Sequence, residues 1–274
     1  MGLRRFQFND KEIALGAKTY IMGILNVTPD SFSDGGRYLG VDAATRQAAV
    51  LIESGADFID LGAESTRPGY QPVTTEEEWQ RLGPVLKALR QIFPEIALSV
   101  DTQKAETAHR AVQSGADIIN DVGGDLGDPR MLATLSSTRA GYVMMYNREP
   151  RAPANMADMV SQFQRRLREA HEFGIAESRI LVDPGLGFAY GLEDNWRVLG
   201  QLEQLKGLGA GMLVGPSRKR FLGTLTGAGP DQRDFATASL ASLAVGSGMD
   251  VVRVHEVAGV RQALLVADRW WRHG

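Results

Sequence analysis

The chain contains no cysteine. That excludes disulfides, thiol nucleophiles and thiolate metal sites, and it fits a reducing cytoplasm. No stretch approaches the roughly 20 apolar residues that a bilayer-spanning helix needs. The first 16 residues carry Arg4 and Arg5 but lack the apolar run of a signal peptide. A soluble, cytoplasmic protein without a membrane partner is expected. Charge of one sign is also lacking: the net charge is −3 and the isoelectric point about 5.9. This argues against a general grip on nucleic acid, so an anionic substrate must be held by locally placed cations. Nucleotide loops are missing as well. GPSRK at 215–219 does not follow GxxxxGK[ST], and DPGLGF at 183–188 does not follow GxGxxG, so no nicotinamide cofactor is expected.

What is present is a repeated unit. SGAD occurs at 54–57 and 114–117, and SGMD at 247–250. Each follows a helical apolar pattern and precedes an Ile- and Val-rich run, as at a joint where glycine ends a helix in the left-handed conformation and a strand begins. Eight apolar runs lie at 20–25, 57–61, 97–100, 117–119, 142–145, 180–182, 212–214 and 251–254. Several are continuously apolar, as parallel strands covered on both faces are. Amphipathic stretches separate them, among them 43–53, 75–93 and 156–173. Asp42 and Thr74 are expected N-caps, Thr74 with Glu77 as a capping box. Eight strands alternating with helices in 274 residues predict an α/β fold, a (β/α)₈ TIM barrel over 19–274. Residues 1–18 read as a hairpin turning at Asn9–Asp10 and closing the barrel bottom.

The residues after each run carry the functional signal. Asn26 follows the first, Glu64 to Arg67 the second, Asp101 the third, and Asn120 and Asp121 the fourth. The fifth ends in Met144 and Met145, and Asp183 follows the sixth. Ser217, Arg218 and Lys219 follow the seventh, and Arg253 and His255 close the eighth. A barrel brings all of these to one rim, where catalytic groups sit. Asp101, Asn120 and Asp183 suit the edge of a heterocycle rich in N–H donors and ring acceptors. Lys219, Arg253 and His255 suit phosphate or pyrophosphate, and the methionines suit a flat ring. The loops 27–41 and 62–73 are long for βα connections, which marks them as functional. His109, His171 and the arginines of QRRLRE at 164–169 read as solvated helix faces. Trp270 and Trp271 read as packing of the last helix or as a dimer surface.

At these residues the chain resembles the dihydropteroate synthase family. The resemblance rests on GILNVTPDSFSDGGRY at 23–38, DLGAESTRPG at 60–69, SVDT at 99–102, IINDVGG at 118–124, VDPGLGF at 182–188, VGPSRKRFLG at 214–223 and VRVHEV at 252–257. It implies a folate-pathway reaction: 6-hydroxymethyl-dihydropterin pyrophosphate condenses with p-aminobenzoate by dissociative substitution through a pterin cation, in an enzyme that sulfonamides target. The resemblance gives Asp101, Asn120, Met145, Asp183, Lys219 and Arg253 to the pterin, with Asp101, Lys219 and Arg253 in catalytic roles. It gives Asn26, Arg67, Arg253 and His255 to pyrophosphate, Asn26 through Mg²⁺. It gives Phe32, Asp34, Thr66, Pro68, Phe188, Lys219 and Arg220 to the p-aminobenzoate pocket. It also implies a homodimer.

The chain departs from the family pattern at four places. An MHM-like stretch reads Met144-Met145-Tyr146, and GFGK reads Gly187-Phe188-Ala189-Tyr190. SRKS reads SRKR, ending in Arg220, and Glu256 stands where Asp is usual. Two other readings stay open from sequence. One is a related barrel passing a methyl group from methyltetrahydrofolate to a corrinoid protein, and the other a pterin binder without catalysis.

Overall fold

The computed structural model describes residues 4–27, 37–64, 73–148, 155–188 and 190–272. Two antiparallel strands come first, β1 (Arg4–Phe8) and β2 (Lys11–Leu15), joined through Asn9 at φ 50°. Eight parallel strands follow: β3 (Tyr20–Asn26), β4 (Phe58–Gly62), β5 (Ala97–Asp101), β6 (Ile118–Asp121), β7 (Gly141–Met145), β8 (Ile180–Asp183), β9 (Gly211–Val214) and β10 (Val251–Val254). They close in order, β10 pairing with both β9 and β3. The helices alternate with them: α1 (Arg37–Glu53), α2 (Thr75–Ile92), α3 (Ala105–Gln113), α4 (Met131–Ser136), α5 (Met156–Glu172), α6 (Leu192–Leu199), α7 (Arg220–Thr226), α8 (Asp234–Gly246) and α9 (Ala258–Arg272). The expected (β/α)₈ barrel is present, and no helix among the described residues is long and apolar enough to cross a membrane.

The strands alternate faces with a period of two. One set, including Ile59, Leu98, Ile119, Tyr142, Val182 and Val252, packs outward against the helices. The other set, including Met22, Phe58, Ile118, Val143, Leu181, Leu213 and Val251, points inward and packs on Phe6, Phe8 and Leu15 of the hairpin. The hairpin thus packs against the end where the strands begin. Two residues further along the inward register most side chains turn polar.

The repeated SGAD and SGMD units make the same joint three times. Gly55, Gly115 and Gly248 have φ of 101°, 102° and 93°. The following Asp57, Asp117 and Asp250 each grip one residue of the preceding strand twice. Asp57 donates its N–H to the Ile21 carbonyl at 2.8 Å and accepts the Ile21 N–H on Oδ2 at 2.9 Å. Asp117 does the same with Leu98, and Asp250 with Met212. Each carboxylate also meets a cation: Lys18, Arg90 and Arg4 respectively. Arg4 of the hairpin holds Asp250 with two bonds, 2.8 and 2.9 Å.

Thr74 caps α2 with the expected reciprocal bonds to Glu77. Asp42 does not cap α1. That helix begins at Arg37 and Asp42 lies inside it, on the exposed face, where an Asp costs only a few tenths of a kcal/mol.

Asp250 is fully buried, so Asp250→Ala removes a buried charge pair and a strand-start bond together. The unfolding free energy in urea is expected to fall by about 2–4 kcal/mol. Lys18→Ala, which breaks an exposed pair, is expected to cost less than about 1 kcal/mol in the same experiment.

Candidate active site

The polar layer of the inward register lies directly above the apolar seal. Asp60 stands two residues after Phe58, Asn120 after Ile118, Met145 after Val143, Asp183 after Leu181 and Arg253 after Val251. Asp101 ends β5 two residues after Ser99. One alternation therefore brings these groups to the same mouth of the barrel.

Arg253 is the centre of the group. Its Nε donates to Asp60 Oδ2 at 2.5 Å and its Nη2 to Asp101 Oδ2 at 2.6 Å. Asn120 Nδ2 donates to the same Asp60 Oδ2 at 3.1 Å. Asp60 is wholly buried, and its Oδ1, with Asn120 Oδ1 and Ser99 Oγ, has no hydrogen-bond partner among the described residues. Buried polar atoms are rarely left so, and these offer two acceptors and a hydroxyl at the foot of the mouth. Burial pushes the Asp101 carboxyl up to about 7; Arg253 opposes the rise, while Asp60 and Glu78 add to it. Burial works against the charge on Arg253, but Asp60 and Asp101 outweigh it and its pKa is raised.

Lys219 and Asp183 form the other side. Burial lifts Asp183 to about 6, opposed by the Gly185 N–H, which donates to its Oδ1 at 2.8 Å, and by Lys219. Burial lowers Lys219 to about 8, with Asp183 opposing and Arg253 reinforcing the shift. The Lys219 ammonium lies 4.3 Å from the ring centroid of Phe188. Its direction is set by Arg218, which turns the chain at φ 55°. That left-handed conformation costs about 1 kcal/mol for a residue with a side chain. It is tied down by the Arg218 N–H to Thr237 Oγ1 (3.1 Å), Arg233 to the Arg218 carbonyl (3.0 Å), and a paired Arg218–Asp234 contact at 2.8 and 2.9 Å.

On the outer rim, Ser217 Oγ accepts the His255 backbone N–H at 3.1 Å and lies 2.8 Å from His255 Nδ1. These two contacts fix the orientation of the His255 ring on the rim. Asn26 is exposed at the end of β3. A side chain at Gly62 would stand 3.6 Å from Asp101 Cβ and 4.0 Å from Asn26 Oδ1, so glycine keeps the ground between them open. Arg220 is exposed at the start of α7. Phe32, Asp34, Thr66, Arg67 and Pro68 lie outside the described residues.

The strand-end reading therefore located Asn26, Asp101, Asn120, Met145, Asp183, Lys219, Arg253 and His255 on one mouth. It missed Asp60, hidden in the apolar-looking FIDLG. The available signal was its even spacing from Phe58. It also misplaced Arg166. The arginines of α5 do not form one solvated face: Arg166 is 7% exposed, bonded to the Tyr142 hydroxyl at 2.9 Å and the Met145 carbonyl at 3.2 Å. The Tyr142 hydroxyl donates to Asp121 Oδ2 at 2.7 Å. Asp121, whose pKa burial raises, faces this support behind β6 and β7 rather than the mouth.

Residues 22–255 match the family of pterin binding enzymes. The dihydropteroate synthase of Synechocystis is 41% identical over 266 residues, 94% of this chain and 92% of that protein. Among solved structures, a dihydropteroate synthase from Clostridium difficile in the presence of pteroic acid superposes with a TM-score of 0.90 at 38% identity, covering 94% of this chain and 98% of that one. That of Xanthomonas albilineans with 4-aminobenzoic acid does so at 0.89 and 40% identity, covering 96% and 97%. With the inward layer of Asp60, Asp101, Asn120, Asp183 and Arg253 in place beneath that likeness, the chain belongs to the dihydropteroate synthase family of pterin-binding enzymes.

Proposed function

We propose that the mouth condenses 6-hydroxymethyl-7,8-dihydropterin pyrophosphate with p-aminobenzoate to give dihydropteroate and pyrophosphate. The observation that carries this is the convergence of Asp60 and Asp101 on Arg253, with Asn120 on the same carboxylate, above an apolar floor. Asn120 and Asp183 face a pterin edge with acceptors, Lys219 supplies a donor, and Met145 lies against the ring. The bond from the hydroxymethyl carbon to pyrophosphate oxygen breaks with its electron pair leaving on pyrophosphate. The arylamine lone pair then forms the new C–N bond, and the amine proton passes to water. Between these events the pterin carries a positive charge. Three carboxylates, Asp60, Asp101 and Asp183, surround it against two cations, Lys219 and Arg253. The surplus negative charge favours the transient cation over the neutral substrate, and preorganised charge is usually the largest catalytic contribution.

Pyrophosphate falls to Asn26, Arg67, Arg253 and His255. Magnesium suits this donor set. Asn26 offers one hard oxygen at an exposed strand end, and no group of three or more His, Cys, Asp or Glu forms a cage among the described residues. An ion that keeps its waters and is held mainly by substrate phosphates fits such a place, and when bound it neutralises charge on the leaving group. The arylamine pocket is assigned to Phe188, Lys219 and Arg220 with Phe32, Asp34, Thr66 and Pro68. A cytoplasmic homodimer is the assembly we favour. Leu265, Val266 and Trp270 of α9 are 61%, 71% and 73% exposed, an apolar face that a second copy would cover. Sedimentation of Trp270→Glu is expected to show a monomer where the parent chain is a dimer.

Release of pyrophosphate from the two substrates with Mg²⁺ tests the reaction directly, and no release at any metal concentration would sink it. Asp101→Asn is expected to lower kcat by about 10²–10³-fold while weakening pterin binding less than about threefold, because the charge matters most in transit. Equal losses in both would reduce Asp101 to a ring anchor.

The pH dependence follows from the same groups. Protonating Asp101 as pH falls through about 7 removes the charge that stabilises the cation, and Asp183 follows near 6. Deprotonating Lys219 as pH rises through about 8 removes the positive charge from a pterin donor and weakens its hydrogen bond. The profile of kcat/KM is expected to be a narrow bell with limbs near these values, and Asp101→Asn should lose the limb near 7.

A further inference from the structure

Two of the stretches that depart from the family pattern, remote in sequence, are in contact in the structure through Tyr146 and Tyr190. Tyr146 follows β7 directly, and Tyr190 stands two residues beyond Phe188. Their rings stack with centroids 5.9 Å apart and planes 8° apart. Tyr146 is a fixed part of the barrel wall. It is 1% exposed, its N–H donates to the Asp183 carbonyl at 2.8 Å, and its hydroxyl donates to Asp158 Oδ2 at 2.9 Å. The Arg148 guanidinium lies 5.7 Å from its ring centroid. Tyr190 adds a second attachment, donating its hydroxyl to the Pro184 carbonyl.

The segment from Asp183 to Tyr190 is thus held differently at its two ends. Asp183 belongs to β8 and is fixed by strand pairing with Met145 and by the Gly185 N–H. Gly185, at φ 69°, lies so flat on the wall that a Cβ there would fall 2.1 Å from the Tyr146 carbonyl oxygen. Past that point Leu186 is buried in the core, 1% exposed, and two backbone bonds follow among the described residues. The Gly187 N–H donates to Asn195 Oδ1 at 2.7 Å and the Phe188 N–H to the Gly185 carbonyl at 3.1 Å. Gly187, at φ 80°, also packs on Lys219, whose Cδ would meet its Cβ at 2.9 Å. The Phe188 ring, under the Lys219 ammonium, is thus flanked by the Gly187–Asn195 bond on one side and by the Tyr190 attachment on the other.

We infer that Tyr190 is a positioning residue for the p-aminobenzoate half of the site: stacked on Tyr146 and bonded to the Pro184 carbonyl, it keeps Phe188 against Lys219. This rests on the assignment of Phe188 to the arylamine pocket. Loosening Tyr190 releases Phe188 but leaves Asp183 in its strand, so the loss falls on the arylamine and spares the pterin. A pocket formed only part of the time raises the apparent KM by the inverse of that fraction.

Steady-state kinetics with both substrates varied test this. Tyr190→Phe keeps the ring and loses only the bond to Pro184. It should raise the KM for p-aminobenzoate about fivefold, leaving kcat and the KM for the pterin pyrophosphate within about twofold. Tyr190→Ala loses the stack as well and should raise the same constant further. Tyr146→Leu should do likewise, and the Tyr146→Leu, Tyr190→Ala double variant should be no worse than the worse single one. Parallel rises in both KM values overturn the inference, as do an unchanged arylamine KM in Tyr190→Ala or fully additive losses in the double variant. Phe188→Ala separates the two levels. If it leaves the arylamine KM unchanged, the pocket assignment itself fails. If it raises that constant while the Tyr190 variants do not, only the role of Tyr190 fails.

Discussion

The site depends on one guanidinium held by two carboxylates inside the barrel mouth. Arg253 reaches Asp60 with one nitrogen and Asp101 with another. Neither carboxylate is sustainable without it. Asp60 is fully buried, and an isolated buried charge costs several kcal/mol. The fork geometry of arginine answers two acceptors at once with fixed directions, so three strands, β4, β5 and β10, are locked at their catalytic ends by one side chain. Asn120 on β6 joins through Asp60. A lysine at 253 would neutralise comparable charge and lose this orientation.

The same arrangement explains how a cation is favoured in a place already containing two. Arg253 is committed to Asp60 and Asp101, and Lys219 is drawn toward Asp183 and Phe188, so the positive charges are partly answered before substrate arrives. The net balance still leans negative by one when all are ionised. Unit charges about 4 Å apart at an effective dielectric near 20 interact by about 4 kcal/mol. One surplus carboxylate therefore suffices for a rate effect of about a thousandfold. The groups we assign to pyrophosphate stand further out: His255 is oriented by Ser217, and Asn26 is exposed at the end of β3. Depth in the barrel thus separates the charge that is made from the charge that leaves.

Much of this was legible in the chain, for a physical reason. Parallel barrel strands are short, apolar and regularly spaced, and their catalytic groups follow the apolar run, so Asp101, Asn120, Asp183 and Arg253 stood out at its end. The SGAD joints were visible because a left-handed helix end demands glycine, and the N-cap of α2 because its reciprocal bonds demand Thr74 and Glu77. Asp60 was not visible because it lies inside a strand, and only the inward register tells it from Ile59. Arg166 looked solvated because a helix wheel of three arginines does not show which one meets Tyr142. Asp42 misled because helix starts are marked by residues that also tolerate an exposed interior turn. The misses at Asp60 and Arg166 came from tertiary placement that the local pattern does not carry, and the one at Asp42 from an ambiguous local signal.

Departures from a family pattern are harder still, since a substitution seen alone has no meaning until its partner is known. Met145 in place of a histidine keeps an apolar surface on the inward register, two residues above Val143, and needs no compensation. Tyr146 and Tyr190 are different. Tyr146 already meets Phe163 and Arg148, and the near-parallel stack with Tyr190 adds a contact to the far side of the Asp183–Phe188 turn. Together they exchange separate side chains for one packed unit anchored on β7. The strand alternation that builds the polar floor is thereby followed, at the residue directly after β7, by the surface on which we infer that the arylamine side of the mouth is braced.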